Sequence, residues 1–334
     1  MQRTVLTYDS GSIIIRGGIS HIPYASFDPR TNSLRAQALY YKDILDYLNQ
    51  SEIEYDDSHV LDLIPSPNII LDQNTTGRNY VNNDNNNNTH NDHPYPISLR
   101  DYQQKALDMW IKAGNRGCIV LPTGSGKTVI GVKAIEIINS ASLVVVPTID
   151  LMDQWTSVLS KYFNNIKIGN LGGGSDDIQA ITVCTYDSAY IRASNIGNKF
   201  ALIIFDEVHH LAAPGYRSIA EQFASPFRLG LTATIEREDN LHKDFPRLVG
   251  GGIVFEARPS DLAKNKHLSS FEIERRHVDM LPEEVEEYKK NFDIYHTNLM
   301  KVGLKMNYSD SFRKLIMISG RSSIARQAVL ARNK

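Results

Sequence analysis

The chain has 334 residues, of which 42% are hydrophobic and 22% charged, and its formal net charge is -2. This balance predicts a globular protein of two or three domains and excludes a uniformly basic surface for nucleic acid. The only cysteines, Cys118 and Cys184, lie far apart in apolar runs, which excludes a disulfide framework or a thiolate metal site. No apolar run reaches the roughly 18 residues of a membrane span, and no signal peptide opens the chain, so we expect a soluble, intracellular protein.

Residues 1–71 predict a small α+β domain. Two strand-like runs, TVLTYD and SIIIRG, flank Ser10–Gly11 as a hairpin, and FDPRTNSLRA predicts a second hairpin at Asp28–Pro29. A helix follows, because apolar residues recur at helical spacing from Tyr40 to Leu48. Its tyrosines could stack on bases, although packing against the strands is the commoner use of such a face.

Residues 72–96, DQNTTGRNYVNNDNNNNTHNDHPYP, are rich in Asn and Asp and nearly free of large aliphatic residues. Such a stretch cannot bury a core, so we predict a flexible linker. In residues 97–256, apolar strands alternate with helices, which predicts an α/β fold with a parallel sheet covered on both faces. Ligands of such sheets bind at the carboxyl ends of the strands.

The stretch LPTGSGKT, Leu121–Thr128, lies between a predicted strand and a predicted helix. Its glycines allow the backbone N–H groups to point at a phosphate, while Lys127 can reach the β- and γ-phosphate oxygens and Thr128 can ligate magnesium. Leu121 stands where a phosphate loop usually has glycine, so the interpretation depends on GxGKT and its position after a strand. The predicted nucleotide-binding residues of this loop are Thr123, Gly124, Ser125, Gly126, Lys127 and Thr128.

A second apolar strand, LIIF, ends at Asp206 and Glu207. A carboxylate at this place can hold magnesium, a role we assign to Asp206, and its neighbour can orient or deprotonate the attacking water. Taken alone, the two acids could instead cap the next helix, but the phosphate loop upstream favours the catalytic interpretation. His209 and His210 could suggest a metal site, but no third ligand has a suitable spacing to them. We therefore interpret His209 as a hydrogen-bonding coupler in the catalytic site.

The motifs GSGKT, DEVH and TAT, in this order and preceded by LRDYQ, resemble motifs I, II and III and the adenine-side glutamine motif of superfamily-two helicases. The small amino-terminal domain and the RED motif, residues 237–239, further resemble the XPB family of DNA repair helicases in an archaeal-like form. The resemblance implies a RecA-like P-loop lobe with ATP and magnesium as cofactors. It also implies damaged or junction DNA as the partner, with a nuclease as a further candidate partner.

The same resemblance implies roles for residues outside the phosphate loop. Arg100 and Gln103 would face the adenine. The residues expected to contact DNA or to couple hydrolysis to it are Pro147, Thr148, Gln154, Thr185, Thr232, Thr234, Arg237, Glu238 and Asp239. Glu238 and Asp239 would push strands apart or dock on a second lobe, Arg237 would hold a phosphate or a partner carboxylate, and an ordinary solvated loop is the alternative. We expect Trp155 in the core, because its helix must bury one side.

Residues 257–334 predict a connector, a paired-helix protrusion and a basic tail, and the resemblance implies that the protrusion is a thumb. The thumb would begin near Pro282 and follow an apolar seam from Leu281 to Leu299. Basic residues from Lys301 to Lys334 predict phosphate contacts, with a solvated helix face as an equal alternative. No second RecA-like lobe is recognisable, and the arginines of that lobe complete such an active site, so we expect the chain to be incomplete for turnover.

Three functions fit this sequence. The first is an XPB-type helicase of nucleotide excision repair, found in the cytoplasm or nucleoid of a prokaryote or in a eukaryotic nucleus. The second is a duplex DNA translocase of the same superfamily that does not separate strands. The third is a non-catalytic clamp on DNA, in which ATP only sets the conformation.

Overall fold

The computed structural model describes residues 3–19, 21–65, 98–213, 215–234, 244–264, 274, 276, 278–304 and 309–332. The chain divides into two compact units, Met1–Ser270 and Phe271–Lys334. No helix in the described ranges is both long and apolar enough to cross a membrane. The predicted linker, residues 72–96, lies outside the described residues, so its character stays a prediction.

The first unit begins with a five-stranded sheet. Its elements are β1 (Thr4–Asp9), β2 (Ser12–Arg16), β3 (Ser26–Asp28), β4 (Ser33–Gln37), helix α1 (Tyr41–Gln50) and β5 (Tyr55–His59). The strand order is β3-β4-β2-β1-β5, with β5 parallel to β1 and the other pairs antiparallel. Both predicted hairpins are confirmed by the pairs Asp9–Ser12 and Asp28–Ser33. Helix α1 packs on the strands with Tyr41, Ile44 and Leu48 buried.

A larger sheet of eight strands follows. Its strands are β6 (Arg116–Val120), β7 (Ser142–Val146), β8 (Ile168–Gly172), β9 (Ser175–Asp177), β10 (Ile181–Thr185), β11 (Leu202–Asp206), β12 (Phe227–Thr232) and β13 (Ile253–Glu256). They lie in the order β13-β6-β12-β11-β7-β10-β8-β9, and every neighbouring pair is parallel except β8–β9. The predicted parallel α/β architecture is confirmed. Strands β6, β12 and β11 are consecutive, so their carboxyl ends meet at one edge of the sheet.

Helices cover both faces of the larger sheet. They are α2 (Asp101–Lys112), α3 (Lys127–Ile138), α4 (Ile149–Tyr162), α5 (Tyr186–Ile196), α6 (Arg217–Gln222), α7 (Phe245–Leu248) and α8 (Pro259–Lys264). Helices α2, α3 and α4 contribute to one core, and α5 and α6 contribute to the other. Helix α8 buries Leu262 in the first of these cores, and the compact units divide after Ser270. The predicted domain boundary after residue 256 stays a prediction.

The five-stranded sheet packs against the larger one at the amino ends of the parallel strands. Asp43 of α1 forms an ion pair at 3.2 Å with Arg116, the first residue of β6. The Tyr8 hydroxyl donates to the Gln222 carbonyl at 3.1 Å, and Ala224 belongs to the core beneath β1 and α1. Both sheets therefore belong to one compact unit. Their contact lies at the edge opposite the carboxyl ends of the strands.

Arg228, in β12, is fully buried and fixes several elements of the larger domain. Its guanidinium donates to four backbone carbonyls, those of Ala220, Phe223, Ser225 and Leu248. Two of these acceptors lie at the carboxyl end of α6 and one at that of α7, where the partial charge of a helix is negative. Burial lowers the pKa of Arg228, but a guanidinium remains charged at neutral pH. The side chain thus joins two helix ends to the strand between them.

The second unit contains α9 (Pro282–Lys301), α10 (Ser309–Ser319) and α11 (Ser323–Arg332). Its small core consists of Leu299, Leu315, Ala325 and Ala328. The predicted apolar seam of α9 is confirmed only at its carboxyl end, where Leu299 is buried, because Tyr288 is 58% exposed and Phe292 40% exposed. Of the predicted basic contacts, Lys301 ends α9, whereas Lys305 lies outside the described residues.

Candidate active site

The loop between β6 and α3 has the backbone conformation of a phosphate-binding loop. Gly124 and Gly126 have φ angles of 78° and 81°, which glycine adopts readily. A Cβ on Gly126 would lie 2.5 Å from Gln103 Nε2, so a larger residue would displace its neighbour. Ser125 is fully buried, and its hydroxyl finds no hydrogen-bond partner in the described part of the chain. Because an unpartnered buried hydroxyl is costly, the loop has the character of a site for a polar ligand.

Helix α2 supports this loop from one side. The Tyr102 hydroxyl and Gln103 Nε2 both donate to the Ser125 carbonyl, at 2.5 and 2.8 Å. Gln103 Oε1 accepts from the Arg100 backbone N–H at 2.9 Å, so both ends of its amide group are held. The predicted contact of Arg100 and Gln103 with adenine stays a prediction. Tyr102 was missed, although the motif LRDYQ places it beside Gln103.

Lys127, the first residue of α3, joins the phosphate loop to the end of β11. Its Nζ donates to the Leu121 carbonyl at 3.2 Å and lies 3.9 Å from Glu207 Oε1. The lysine side chain is largely buried, which keeps it close to the loop. Of the two threonines predicted here, Thr123 is exposed before the glycines, and Thr128 is half-buried in the first turn of α3.

Asp206 ends β11 and is buried. Its Oδ2 accepts from Trp155 Nε1 at 2.8 Å, and its Oδ1 accepts from the Glu207 backbone N–H at 3.1 Å. Burial raises the pKa of Asp206, and the hydrogen bond from Trp155 opposes that rise. The Tyr186 hydroxyl donates to the backbone carbonyl of Asp206 at 3.1 Å. Sequence reasoning predicted that Trp155 is buried, but it found neither this contact nor that of Tyr186.

Glu207 follows in a backbone conformation that is uncommon for residues other than glycine, with φ at 47°. Its Oε2 lies 3.4 Å from His209 Nδ1 and 3.3 Å from Thr232 Oγ1. The hydrogen bond from His209 is the largest cause of a lowered pKa at Glu207, the charge of Lys127 lowers it further, and partial burial opposes both. The geometry therefore favours an ionised Glu207, the form that can accept a proton.

His209 and Thr232 connect this carboxylate to the end of β12. His209 Nδ1 lies 3.2 Å from Thr232 Oγ1. Thr232 Oγ1 also donates to the Thr234 carbonyl at 2.7 Å and accepts from the Thr234 N–H at 3.2 Å. The structure thus brings His209, the predicted hydrogen-bonding coupler, together with Thr232 and Thr234, the two threonines predicted to couple hydrolysis to DNA, and that coupling stays a prediction. The RED motif, Arg237, Glu238 and Asp239, lies outside the described residues.

The residues predicted to contact DNA follow β7 and β10, which are neighbouring strands. Thr148 caps α4 and Thr185 caps α5, each by accepting from the backbone N–H three residues later at 3.3 Å. Thr148 and Gln154 are exposed and Pro147 is half-buried, so they form an accessible edge. Thr185 is only 7% exposed, so helix capping is the role that its surroundings favour.

Two known protein families match the chain, one at each of the two sheets of the first unit. Residues 6–58 match the Xeroderma pigmentosum group B helicase damage recognition domain. Residues 96–237, which include the phosphate loop and Asp206, match the type III restriction enzyme res subunit family. The first match covers the five-stranded sheet, and the second covers most of the larger one.

Three relatives are similar over longer stretches. The chain is 39% identical over 312 residues to DNA 3'-5' translocase XPB2 of Sulfurisphaera tokodaii, covering 93% of this chain and 64% of that protein. It is 37% identical over 174 residues to DNA 3'-5' helicase XPB of Mycobacterium tuberculosis, covering 47% and 31%. It is 28% identical over 227 residues to the general transcription and DNA repair factor IIH helicase/translocase subunit XPB of Enterocytozoon bieneusi, covering 60% and 37%.

The chain thus spans less than two thirds of the length of each of these relatives. The amino-terminal sheet matches a domain described for XPB, and the larger sheet matches a helicase-type domain. Similarity to an XPB protein extends over 93% of the chain. The chain is therefore similar to XPB helicases and translocases in both of its sheets.

Proposed function

We propose that this chain provides the nucleotide site of an ATP-dependent DNA motor of the XPB type. The observation that carries this proposal is the convergence of Lys127, Glu207 and Thr232 at the carboxyl edge of the larger sheet. A cation beside a phosphate loop, an ionised carboxylate and a hydroxyl from the next strand are the groups that nucleotide hydrolysis and its coupling need. The names of the relatives, which include translocases and helicases, support the same function.

The residues present fit ATP and magnesium. The unpartnered Ser125 hydroxyl and the positive φ angles of Gly124 and Gly126 suit a phosphate group that is approached closely by backbone N–H groups. Thr128 and Asp206 supply the hard oxygen ligands that magnesium prefers. When bound, the metal would neutralise charge on the phosphates.

Glu207 would act on the attacking water as general base. Its lowered pKa keeps it ionised, and Lys127 neutralises part of its charge when no phosphate is bound. A phosphate group competes with Glu207 for the same ammonium. We therefore propose that Lys127 moves from Glu207 to the phosphates when nucleotide binds, which frees the carboxylate to orient water.

DNA would run along the edge formed by Pro147, Thr148 and Gln154. This edge is accessible, and it adjoins the strand ends at which the nucleotide site lies. We propose DNA repair as the context, because a damage recognition domain is matched and a relative is named as a DNA repair factor subunit. A nuclease partner and action in the cytoplasm or nucleoid of a prokaryote complete the proposal.

The nucleotide site is tested by Lys127→Ala. Loss of a charge-assisted contact to phosphate is expected to weaken binding of a fluorescent ATP analogue about 10- to 100-fold, since such contacts contribute about 1.5–3 kcal/mol. The measurement is a fluorescence titration of the chain with magnesium present. Lys133→Ala is the matched control, because Lys133 lies on the same helix but pairs with Glu136. Equal affinity of Lys127→Ala and the unchanged chain would refute the proposed site.

Strand separation is tested at the RED motif, in a form of the protein that contains a second RecA-like lobe. Changing Arg237, Glu238 and Asp239 together to alanine is expected to abolish unwinding while most of the DNA-stimulated ATPase activity remains, because the motif has no proposed contact with nucleotide. Both activities are measured on one preparation. Full unwinding by the variant would return the motif to an ordinary solvated loop, and equal loss of both activities would place it in the ATP site.

The same assays separate the two rival functions. A duplex translocase would hydrolyse ATP with DNA present but would not separate strands, even with an intact RED motif. A clamp would bind nucleotide and DNA without turnover. The convergence of Lys127, Glu207 and Thr232 favours a motor over a clamp, because a clamp has no need of a positioned general base.

A further inference from the structure

The carboxylate of Asp206 is held by a side chain that no motif assigned to the site. Its Oδ2 accepts a hydrogen bond from the indole N–H of Trp155 at 2.8 Å, across 51 positions of sequence. Its Oδ1 accepts from the Glu207 N–H, so each carboxylate oxygen has one donor. Each oxygen keeps a further lone pair for another partner. The side chain of Asp206 is therefore fixed in orientation, and both of its oxygens can still accept a further partner.

Trp155 itself is held in place by close packing. Its ring is 1% exposed in the core that α3 and α4 share. A Cβ placed on Gly131 of α3 would lie 2.5 Å from the indole Cη2 and 3.6 Å from Ile204 Cδ1 of β11. The absence of a side chain at Gly131 thus leaves the space that the indole fills. The indole therefore packs directly against α3, the helix that begins at the phosphate loop.

Burial alone does not account for this arrangement. The other tryptophan, Trp110, is equally buried, and its N–H donates at 2.9 Å to the backbone carbonyl of Arg228. A neutral carbonyl of this kind satisfies a buried indole, and many such acceptors exist in a core. Trp155 donates instead to a carboxylate at the active site. Hydrogen bonds to an ionised acceptor are about twice as strong as those between neutral groups and orient the acceptor accordingly.

We propose that Trp155 is a positioning residue that orients Asp206 for the magnesium of bound ATP. The inference rests on the proposed nucleotide site and adds a residue to it. Partners of metal ligands of this type commonly change metal affinity by 10- to 100-fold when they are removed. Trp155 also lies in α4, the helix that Thr148 caps and that contains Gln154 of the proposed DNA edge, so the same indole connects that edge to the metal ligand.

The test compares Trp155→Phe with Trp110→Phe. Phenylalanine keeps most of the buried ring and removes the N–H in both cases. The measurement is the affinity of the chain for a fluorescent, non-hydrolysable ATP analogue, titrated with MgCl2 and repeated in EDTA. For Trp155→Phe we expect unchanged affinity in EDTA and a magnesium concentration for half-maximal enhancement raised about tenfold. Trp110→Phe is expected to leave the magnesium dependence unchanged, although both variants lose thermal stability.

A second variant covers the case in which Trp155→Phe does not fold. Gly131→Ala keeps the indole but places a methyl group against it, and we expect the same change in magnesium dependence. An unchanged magnesium dependence in Trp155→Phe, or an equal change in Trp110→Phe, would overturn the positioning role. Failure of the proposed nucleotide site is a separate result, because the unchanged chain would then bind the analogue no better than Lys127→Ala does.

Discussion

Replacing Glu207 by glutamine is expected to lower the rate of ATP hydrolysis by about 10²- to 10⁴-fold while nucleotide affinity changes little, because a general base contributes acceleration of that order. Glutamine has the size of glutamate and keeps an oxygen that can accept the hydrogen bond from His209. It cannot take up a proton at neutral pH. The positive φ at this position is kept as well, since the two residues differ only at the end of the side chain.

Hydrolysis is measured under single-turnover conditions with DNA present, so that even a slow rate is quantified. Slow turnover is expected of residues 1–334, because no second RecA-like lobe is recognisable in them. The arginine contact that such a lobe makes with the γ-phosphate contributes about 10³-fold or more in related reactions. Glu136→Gln is the matched control, because Glu136 pairs with Lys133 and Tyr162 away from the site. If Glu207→Gln kept more than a tenth of the rate, another residue would have to be the base.

Replacing Arg228 by methionine is expected to destabilise the first unit by about 3–5 kcal/mol, a range typical when one partner of a buried polar network is removed. Methionine fills much of the same space but has no donor. Four buried carbonyls would lose their contacts, at the ends of α6 and α7 and in the chain between α6 and β12. Since domains are stable by only about 5–15 kcal/mol, much of the total would be lost.

The free energy of unfolding is obtained from urea denaturation of both proteins. Arg192→Met is the control, because Arg192 and its partner Asp176 are 38% and 58% exposed, and surface pairs contribute only about 0–1 kcal/mol. A loss below about 1 kcal/mol for Arg228→Met would show that water or neighbouring groups replace the guanidinium. A comparable loss in both variants would show that burial is irrelevant to the effect.

The motifs of the nucleotide site could be predicted because their residues are close in sequence. A glycine-rich turn between a strand and a helix, and two acids at the end of an apolar strand, each define their position by local pattern. The parallel sheet then brings Lys127 near Glu207, since the strands that precede them are both part of one sheet. Neither the sheet order nor the distance between these side chains follows from the pattern itself.

Contacts between distant segments could not be predicted in the same way. The need of its helix to bury one side indicated that Trp155 lies in the core, as do Met152 and Leu159 of the same helix, but the helical period gives a face and not a hydrogen-bond acceptor. The contacts of Tyr102 with the phosphate loop and of Tyr186 with Asp206 depend on tertiary packing for the same reason. In α9 the pattern predicted a continuous seam, yet exposure of Tyr288 and Phe292 depends on where the neighbouring helices pack.

The contact between the two sheets of the first unit has a thermodynamic consequence. Asp43 of helix α1, which packs on the amino-terminal sheet, is paired with Arg116 at one end of β6, and the phosphate loop continues from the other end of that strand. If the two sheets unfold as one cooperative unit, a ligand that binds either sheet raises the free energy of unfolding of both. The melting temperature of the phosphate loop would then rise when a ligand binds the amino-terminal sheet. The two are separated by β6, whose five residues span about 16 Å.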